Sequence, residues 1–322
     1  MNTPRPRRTL LRLSLAVAVL HIAFGAIVRI SGSGMGCGDH WPKCLGAWVP
    51  PMNQPTLVIE WTHRLLALVL VVTVASAAIS AWRARATEGV GAQGGVLAPT
   101  LTSLGLVLTT ALFGAVTVWL ANAPLATVGH WTLAAALLAA LATALVRAGD
   151  FGAAQWSAGT AKLARASVAA AALTLTVLIL GGLTAKVPGA SAVCSGFPLC
   201  GGWDNTPIVV RLELLQITHR VLAFMLFLHL MGLTISTRKL PGAPAAVRAV
   251  RVAFALALLQ LVIAGAMVGL KLPPVLRSAH QITGVLLWLA VVVMTLLARR
   301  AAPAEPAIPP SIAVIIARGG GA

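Results

Sequence analysis

Eight apolar stretches dominate this chain and leave few folds open to it. They cover residues 10–30, 57–82, 97–120, 126–147, 163–185, 207–236, 246–270 and 277–298. Each supplies about the 20 residues that a helix needs to cross a bilayer. Only 10% of the residues are charged, against about 25% in soluble domains, and the deficit extends over the whole length. The expected fold is all-α and integral to a membrane. The first stretch ends in Arg29 and Ile30. It is too long for the apolar part of a cleaved signal peptide, so it reads as a retained span.

A formal net charge of +17 raises the question of nucleic acid. The cations, however, lie in short connections where no basic face of any size can form, so nucleic-acid binding is excluded. Their distribution sets topology instead. The N-terminus carries Arg5, Arg7, Arg8 and Arg12. The second, fourth and sixth connections carry Arg83 and Arg85, then Arg147, Lys162 and Arg165, then Arg238, Lys239, Arg248 and Arg251. The tail adds Arg299, Arg300 and Arg318, while the odd connections hold little beyond Lys43, Lys186, Lys271 and Arg277. Both termini are expected on the cytoplasmic side, in the plasma membrane of a bacterium. The loops 31–56 and 186–210 are then outside.

A word recurs. Glu60-Trp61-Thr62-His63-Arg64 returns as Gln216-Ile217-Thr218-His219-Arg220, each copy preceded by two cysteines. Gly25, Pro42, Cys44, Gly46 and His63 match Gly181, Pro198, Cys200, Gly202 and His219 at an offset of 156. Leu120, Pro124 and His130 match Leu270, Pro274 and His280 at an offset of 150. Four spans per repeat insert both copies in the same orientation. The expected architecture is two tandem four-helix bundles, residues 1–150 and 151–322, related by a pseudo-twofold axis along the membrane normal. Residues 150–162, with Asp150, Gly152, Gln155, Trp156 and Lys162, read as the inner linker.

Polar groups inside a bilayer are costly and mark function. His63, His130, His219 and His280 open the even-numbered spans at similar expected depth near the outer surface. Two histidines from neighbouring helices at one level are what a six-coordinate heme iron needs, so His63 with His130 and His219 with His280 are candidate iron ligands. Hydrogen bonding between helices is the alternative. His21, His40 and His229 receive no such role. Glu60 stands three residues before His63 and shares its helix face, as a candidate general base or stabiliser of positive charge. A helix-start carboxylate is the plainer reading, but the second copy has Gln216 there. Arg64, Arg220, Lys271 and Arg277 are candidates for holding heme propionates, since Arg binds carboxylates in bidentate fashion. Interfacial snorkelling is their ordinary use. Trp41, Trp48, Trp61, Trp119, Trp131 and Trp203 read mostly as interfacial anchors. Cys37 with Cys44 and Cys194 with Cys200, in loops exposed to an oxidising compartment, read as disulfides, with free thiols as the alternative. Their spacing is too long for the usual zinc hairpin.

Taken together, these features resemble heme A synthase: eight spans in two halves, E-x-x-H-R in one and Q-x-T-H-R in the other, paired cysteines in the first and third outer loops, and histidines opening the fourth and eighth spans. The resemblance covers the chain from about Gly25 to Arg299. It implies oxidation of the C8 methyl group of heme O to a formyl group by successive hydroxylations, giving heme A for the terminal oxidase. It assigns the substrate heme to His63 and His130, a resident heme b to His219 and His280, and an essential carboxylate to Glu60. It further implies a heme O synthase as donor, a terminal oxidase as recipient, an electron acceptor without a name, contact with membrane lipid, and no nucleic acid. A homo-oligomer stays open. The competing reading is a diheme b-type electron carrier; a secondary transporter is less favoured, because its polar site belongs at the midplane.

Overall fold

The computed structural model describes residues 5–151, 157–200 and 206–300. Eight helices account for most of them: α1 (Arg5–Ile30), α2 (Pro55–Arg83), α3 (Leu97–Trp119), α4 (Pro124–Arg147), α5 (Ala158–Lys186), α6 (Pro207–Ser236), α7 (Pro244–Gly269) and α8 (Pro274–Arg300). All eight are long and apolar enough to cross a membrane. No β-strand is present among the described residues.

Proline sets many of the starts. Pro55, Pro124, Pro207, Pro244 and Pro274 each open a helix, where the missing N–H has no intrahelical partner to lose and the fixed φ already suits the helix. This places several starts two or three residues ahead of the apolar runs. α5 departs further and begins at Ala158 rather than 163. Ser157 accepts from the Thr160 N–H while Thr160 accepts from the Ser157 N–H, a capping box that polar residues build ahead of the apolar run. The linker is correspondingly shorter than expected, and Lys162 belongs to α5. Gly152, Gln155, Trp156, Gly202, Trp203 and Arg318 lie outside the described residues.

The helices of each half form a ring. α1 packs on α2, α2 on α3, α3 on α4, and α4 on α1; α5 to α8 repeat the pattern. The halves meet through α4 against α8, α1 against α8, and α4 against α5. Exchanging α1–α4 with α5–α8 maps this set of contacts onto itself. The connecting turns repeat as well. Ala121 and Asn122 between α3 and α4 have φ of 47° and 57°, and Lys271 and Leu272 between α7 and α8 have 59° and 63°. The Asn122 N–H donates to Thr117 and the Leu272 N–H to Met267, both at 2.7 Å.

The core runs through the seam. Leu137, Leu138 and Leu141 of α4 pack with Trp288 and Val292 of α8, and with Leu70 and Val74 of α2. Trp288 Nε1 donates to the Ala135 carbonyl at 2.8 Å, and Thr295 Oγ1 to the Ser167 carbonyl at 3.0 Å. At the helix ends opposite the cysteine loops, Arg12 is paired with Asp150. Large apolar side chains such as Leu68, Leu112, Val262 and Leu228 are exposed, as expected of residues that face lipid acyl chains.

Candidate functional site

Three of the four histidines lie against a glycine of a neighbouring helix. A Cβ added to Gly25 of α1 would stand 3.2 Å from Cε1 of His63, and one added to Gly114 of α3 would stand 3.4 Å from Cε1 of His130. The corresponding distance at Gly181 of α5, facing His219, is 2.8 Å. His280 instead meets Gln260 of α7, whose Nε2 lies 3.3 Å from the ring Nε2 and donates to the His280 carbonyl at 2.9 Å. His21 and His130 are within electrostatic reach of His63, and His219 is within reach of His280. Each pair therefore converges within its own half.

Two expectations about these residues change. α2 and α4 are not adjacent helices; they occupy opposite corners of the ring, as do α6 and α8. The histidine pairs face each other across the bundle, which leaves its interior between them. The histidines are also not all in the opening turns. His63 is the ninth residue of α2 and His219 the thirteenth of α6, whereas His130 and His280 are the seventh of α4 and α8. α6 starts one turn earlier than the repeat requires, since position 211 rather than 207 matches Pro55.

The imidazoles are half-buried, and the Nδ1 atoms of His63, His130 and His280 have no hydrogen-bond partner. Leaving a buried polar atom unpaired costs about 1–3 kcal/mol, so a row of such atoms in a membrane bundle points to a ligand. His219 differs. Its Nδ1 lies 3.1 Å from the Val177 carbonyl, which can only accept, so the proton is on Nδ1 and Nε2 is free to donate a lone pair. Metal-binding histidines are oriented by this kind of anchor. Among the described residues no group of three or more His, Cys, Asp or Glu side chains could hold a bare ion. Two imidazoles in each half are the donors that a prosthetic group bound there would use.

The first half contains a third imidazole. His21 stacks on His63 with centroids 4.2 Å apart and planes 12° from parallel, and its Nε2 is buried without a partner. The repeat does not mark His21, because Val177 occupies its place in the second half. Its spacing from Gly25 was the available signal, since residues four apart share a helix face. His229 has an ordinary role, with Nε2 2.9 Å from the Ala166 carbonyl. His40 is exposed in the first loop beside Asp39.

Glu60 is 4% exposed and both its oxygens are engaged. Oε1 accepts from Arg64 at 2.6 Å and Oε2 from the Cys37 N–H at 2.8 Å. It therefore ties α2 to the disulfide loop. Gln216 occupies the same place in α6, donates to the Ser191 carbonyl at 3.3 Å and leaves its Oε1 unpaired. Glu213, one turn earlier, is also buried with an unpaired Oε2.

The cysteines form the expected pairs. Cys37 and Cys44 are bonded with Cα atoms 4.5 Å apart, and Cys194 and Cys200 with Cα atoms 4.4 Å apart. Arg64 and Arg220 hold these loops. Arg64 Nη1 donates to the carbonyls of His40, Pro42 and Lys43, and Arg220 Nη1 to those of Gly196, Pro198 and Leu199. The three acceptors correspond one for one at the offset of 156. Nη1 of each arginine thus braces its loop, while Arg64 Nη2 donates to Glu60 and Arg220 Nη2 to the Cys194 carbonyl. Lys271 is exposed in its turn and Arg277 is half-buried on the first turn of α8.

Comparison with known proteins adds the lineage. The sequence model of the COX15-CtaA family, described as cytochrome oxidase assembly protein, matches residues 8–292. A protein named Heme A synthase from Shouchella clausii is 32% identical over 228 residues, covering 70% of this chain and 74% of its own length. One of the same name from Geobacillus kaustophilus is 50% identical over 60 residues, 19% of either chain. A protoheme IX farnesyltransferase from Thermus thermophilus shares a shorter stretch, 54% identical over 46 residues, which is 14% of this chain and 8% of that protein. With a match that enters at the first helix and ends in the eighth, this chain belongs to the COX15-CtaA family of cytochrome oxidase assembly proteins.

Proposed function

We propose that this chain is a heme A synthase, a multi-pass membrane oxidoreductase that takes heme O as substrate and releases heme A. The observation that carries the reading is the family match over residues 8–292. The shared stretch with a farnesyltransferase of protoheme links the chain to heme O synthesis, since the substrate is itself a farnesylated heme. By the same logic a heme O synthase is the donor and a terminal oxidase the recipient.

Within that activity we assign the halves different tasks. Residues 1–150 receive the substrate, addressed by His63 and His130. Residues 151–322 hold a resident heme b on His219 and His280. The second pair suits a permanent group: the Val177 carbonyl presets His219 for ligation, and Gly181 leaves only enough room for its ring. When bound there, heme b supplies one-electron redox chemistry toward an external acceptor. The cysteine loops lie on the outer face and both termini in the cytoplasm, following the cation distribution.

The chain's own part in the oxidation falls to Glu60. Its carboxylate is fixed by Arg64 and by the Cys37 N–H, and each oxygen retains capacity to accept again. Held one turn from His63, it stabilises positive charge developing at the methyl carbon or takes the proton released there. Gln216 can do neither, which leaves the second half without this chemistry. In cells supplied with heme O, Glu60→Gln is expected to retain bound heme and lower heme A at least about 100-fold, the low end of general-base contributions. Solvent extraction and chromatography of the hemes read the result. Undiminished heme A in that variant removes Glu60 from the oxidation, whereas no heme A with the wild-type chain would return it to simple electron carriage.

A further inference from the structure

Arg29, in the last turn of α1, reaches out of its own half. Its Nε donates to Oε1 of Gln281 on α8 at 2.9 Å, and its guanidinium carbon lies 5.8 Å from the ring centroid of Trp131 on α4. Trp131 and Gln281 are equivalent positions of the repeat, and each directly follows a histidine of one pair. Arg29 therefore stands at the seam between the halves, touching on each side the residue that follows a histidine. Arg277 of α8 and Lys186, the last residue of α5, are within electrostatic reach of it, and so is His280.

These three cations come from three helices and are half-buried. None has a carboxylate partner among the described residues, whose ion pairs are Arg12 with Asp150, His40 with Asp39 and Arg64 with Glu60. Like charges gathered at the edge of the hydrocarbon repel one another and are poorly hydrated, so the cluster is stable when an anion joins it. Arg64 and Arg220 commit Nη1 to loop carbonyls, and Nη2 to Glu60 and to the Cys194 carbonyl respectively. A porphyrin held by either histidine pair still needs cations for its propionates, and the seam is where unspent cations stand.

We propose that Arg29, Lys186 and Arg277 form one carboxylate-binding site shared by the two pockets, which receives porphyrin propionates across the seam between the halves. This rests on the reading that the histidine pairs hold hemes. Two carboxylates can enter between the forked guanidinium groups and the ammonium. A shared cationic site also lets the charge of one pocket be felt by the other.

The test uses full-length protein purified with its bound heme, in nanodiscs of phosphatidylcholine and in nanodiscs containing phosphatidylglycerol. Heme per polypeptide and the midpoint of a Soret-band redox titration are measured for Arg29→Gln, Arg29→Lys, Lys186→Gln, Arg277→Gln and Gln281→Leu. Losing a cation beside a propionate stabilises ferric heme, so the three charge-removing variants move the midpoint to more negative potential in both lipids. Arg29→Lys moves it less. Gln281→Leu, which removes the hydrogen bond and keeps the charge, leaves it in place. The Lys186 side chain makes no hydrogen bond among the described residues, so its variant carries the test if Arg29→Gln does not fold. A shift that occurs only with phosphatidylglycerol assigns the site to a headgroup phosphate and overturns the carboxylate. Unmoved midpoints in all variants overturn the site while the heme reading stands. A wild type purified without Soret absorbance takes both down.

Discussion

At the scale of single residues, the pockets are drawn by what is missing from three glycines. A Cβ at Gly181 would meet the His219 ring at 2.8 Å, at Gly25 the His63 ring at 3.2 Å, and at Gly114 the His130 ring at 3.4 Å. The first distance forces the imidazole or the helix to move; the last is ordinary van der Waals contact. Alanine substitutions should therefore grade in that order. Gly181→Ala is expected to lose most of its bound heme, Gly25→Ala to lose part of it, and Gly114→Ala to stay close to wild type, read as Soret absorbance per polypeptide. Equal heme loss at all three positions would contradict a pocket shaped by these contacts. Gly25 and Gly181 were legible in the sequence because duplication marks a position twice, and the same holds for the four histidines and for Glu60 against Gln216. His21, Gln260 and Arg29 were not. Each acts in one copy only, and each finds its partner on another helix, a contact that spacing along the chain does not record.

At the scale of elements, helices were easy to read and loops were not. Apolar length locates eight spans, and proline at the first turn fixes many starts to within a few residues; α5 escaped because its cap is polar. The loop contacts of Arg64 and Arg220 could not be foreseen, since an arginine beside a histidine at the membrane edge does not show in sequence which backbone carbonyls it reaches. The structure shows three backbone carbonyls on each Nη1. Arg64→Ala strips those partners from the first loop and leaves buried Glu60 without its cation. Removing one member of a buried ion pair costs about 3–5 kcal/mol. The disulfide closes so short a ring that it contributes only about 2–3 kcal/mol by loop entropy, so it cannot hold the loop in place alone. In Arg64→Ala, Cys37 and Cys44 should be reduced and alkylated markedly faster, while Cys194 and Cys200 keep their wild-type rate. Mass spectrometry of the labelled peptides reports both loops in one sample, and equal protection of the first loop in variant and wild type would show that Arg64 does not brace it.

At the scale of the whole molecule, the repeat divides the chain into two halves, and the packing binds those halves to each other. α8 lies against α1 and α4 of the first half as well as α5 and α7 of its own. Leu137, Leu138, Leu141, Trp288 and Val292 form a single cluster across the seam, and Trp288 donates to the Ala135 carbonyl. Either half alone would expose that surface. A chain divided between residues 151 and 157 is therefore expected to yield little of either piece when the pieces are made separately. Made together in one membrane, the pieces should co-purify with bound heme. Trp288→Ala removes a large seam side chain, a loss of about 3–5 kcal/mol, together with its hydrogen bond to the Ala135 carbonyl. In the divided protein nothing covalent offsets that loss, so co-purification should fall sharply. In the intact chain the connection between α4 and α5 keeps the halves at high effective concentration, and bound heme should largely persist. Halves that accumulate separately, each with its own heme, would establish the pockets as independent domains and would leave the seam cations with no structural reason to stand together.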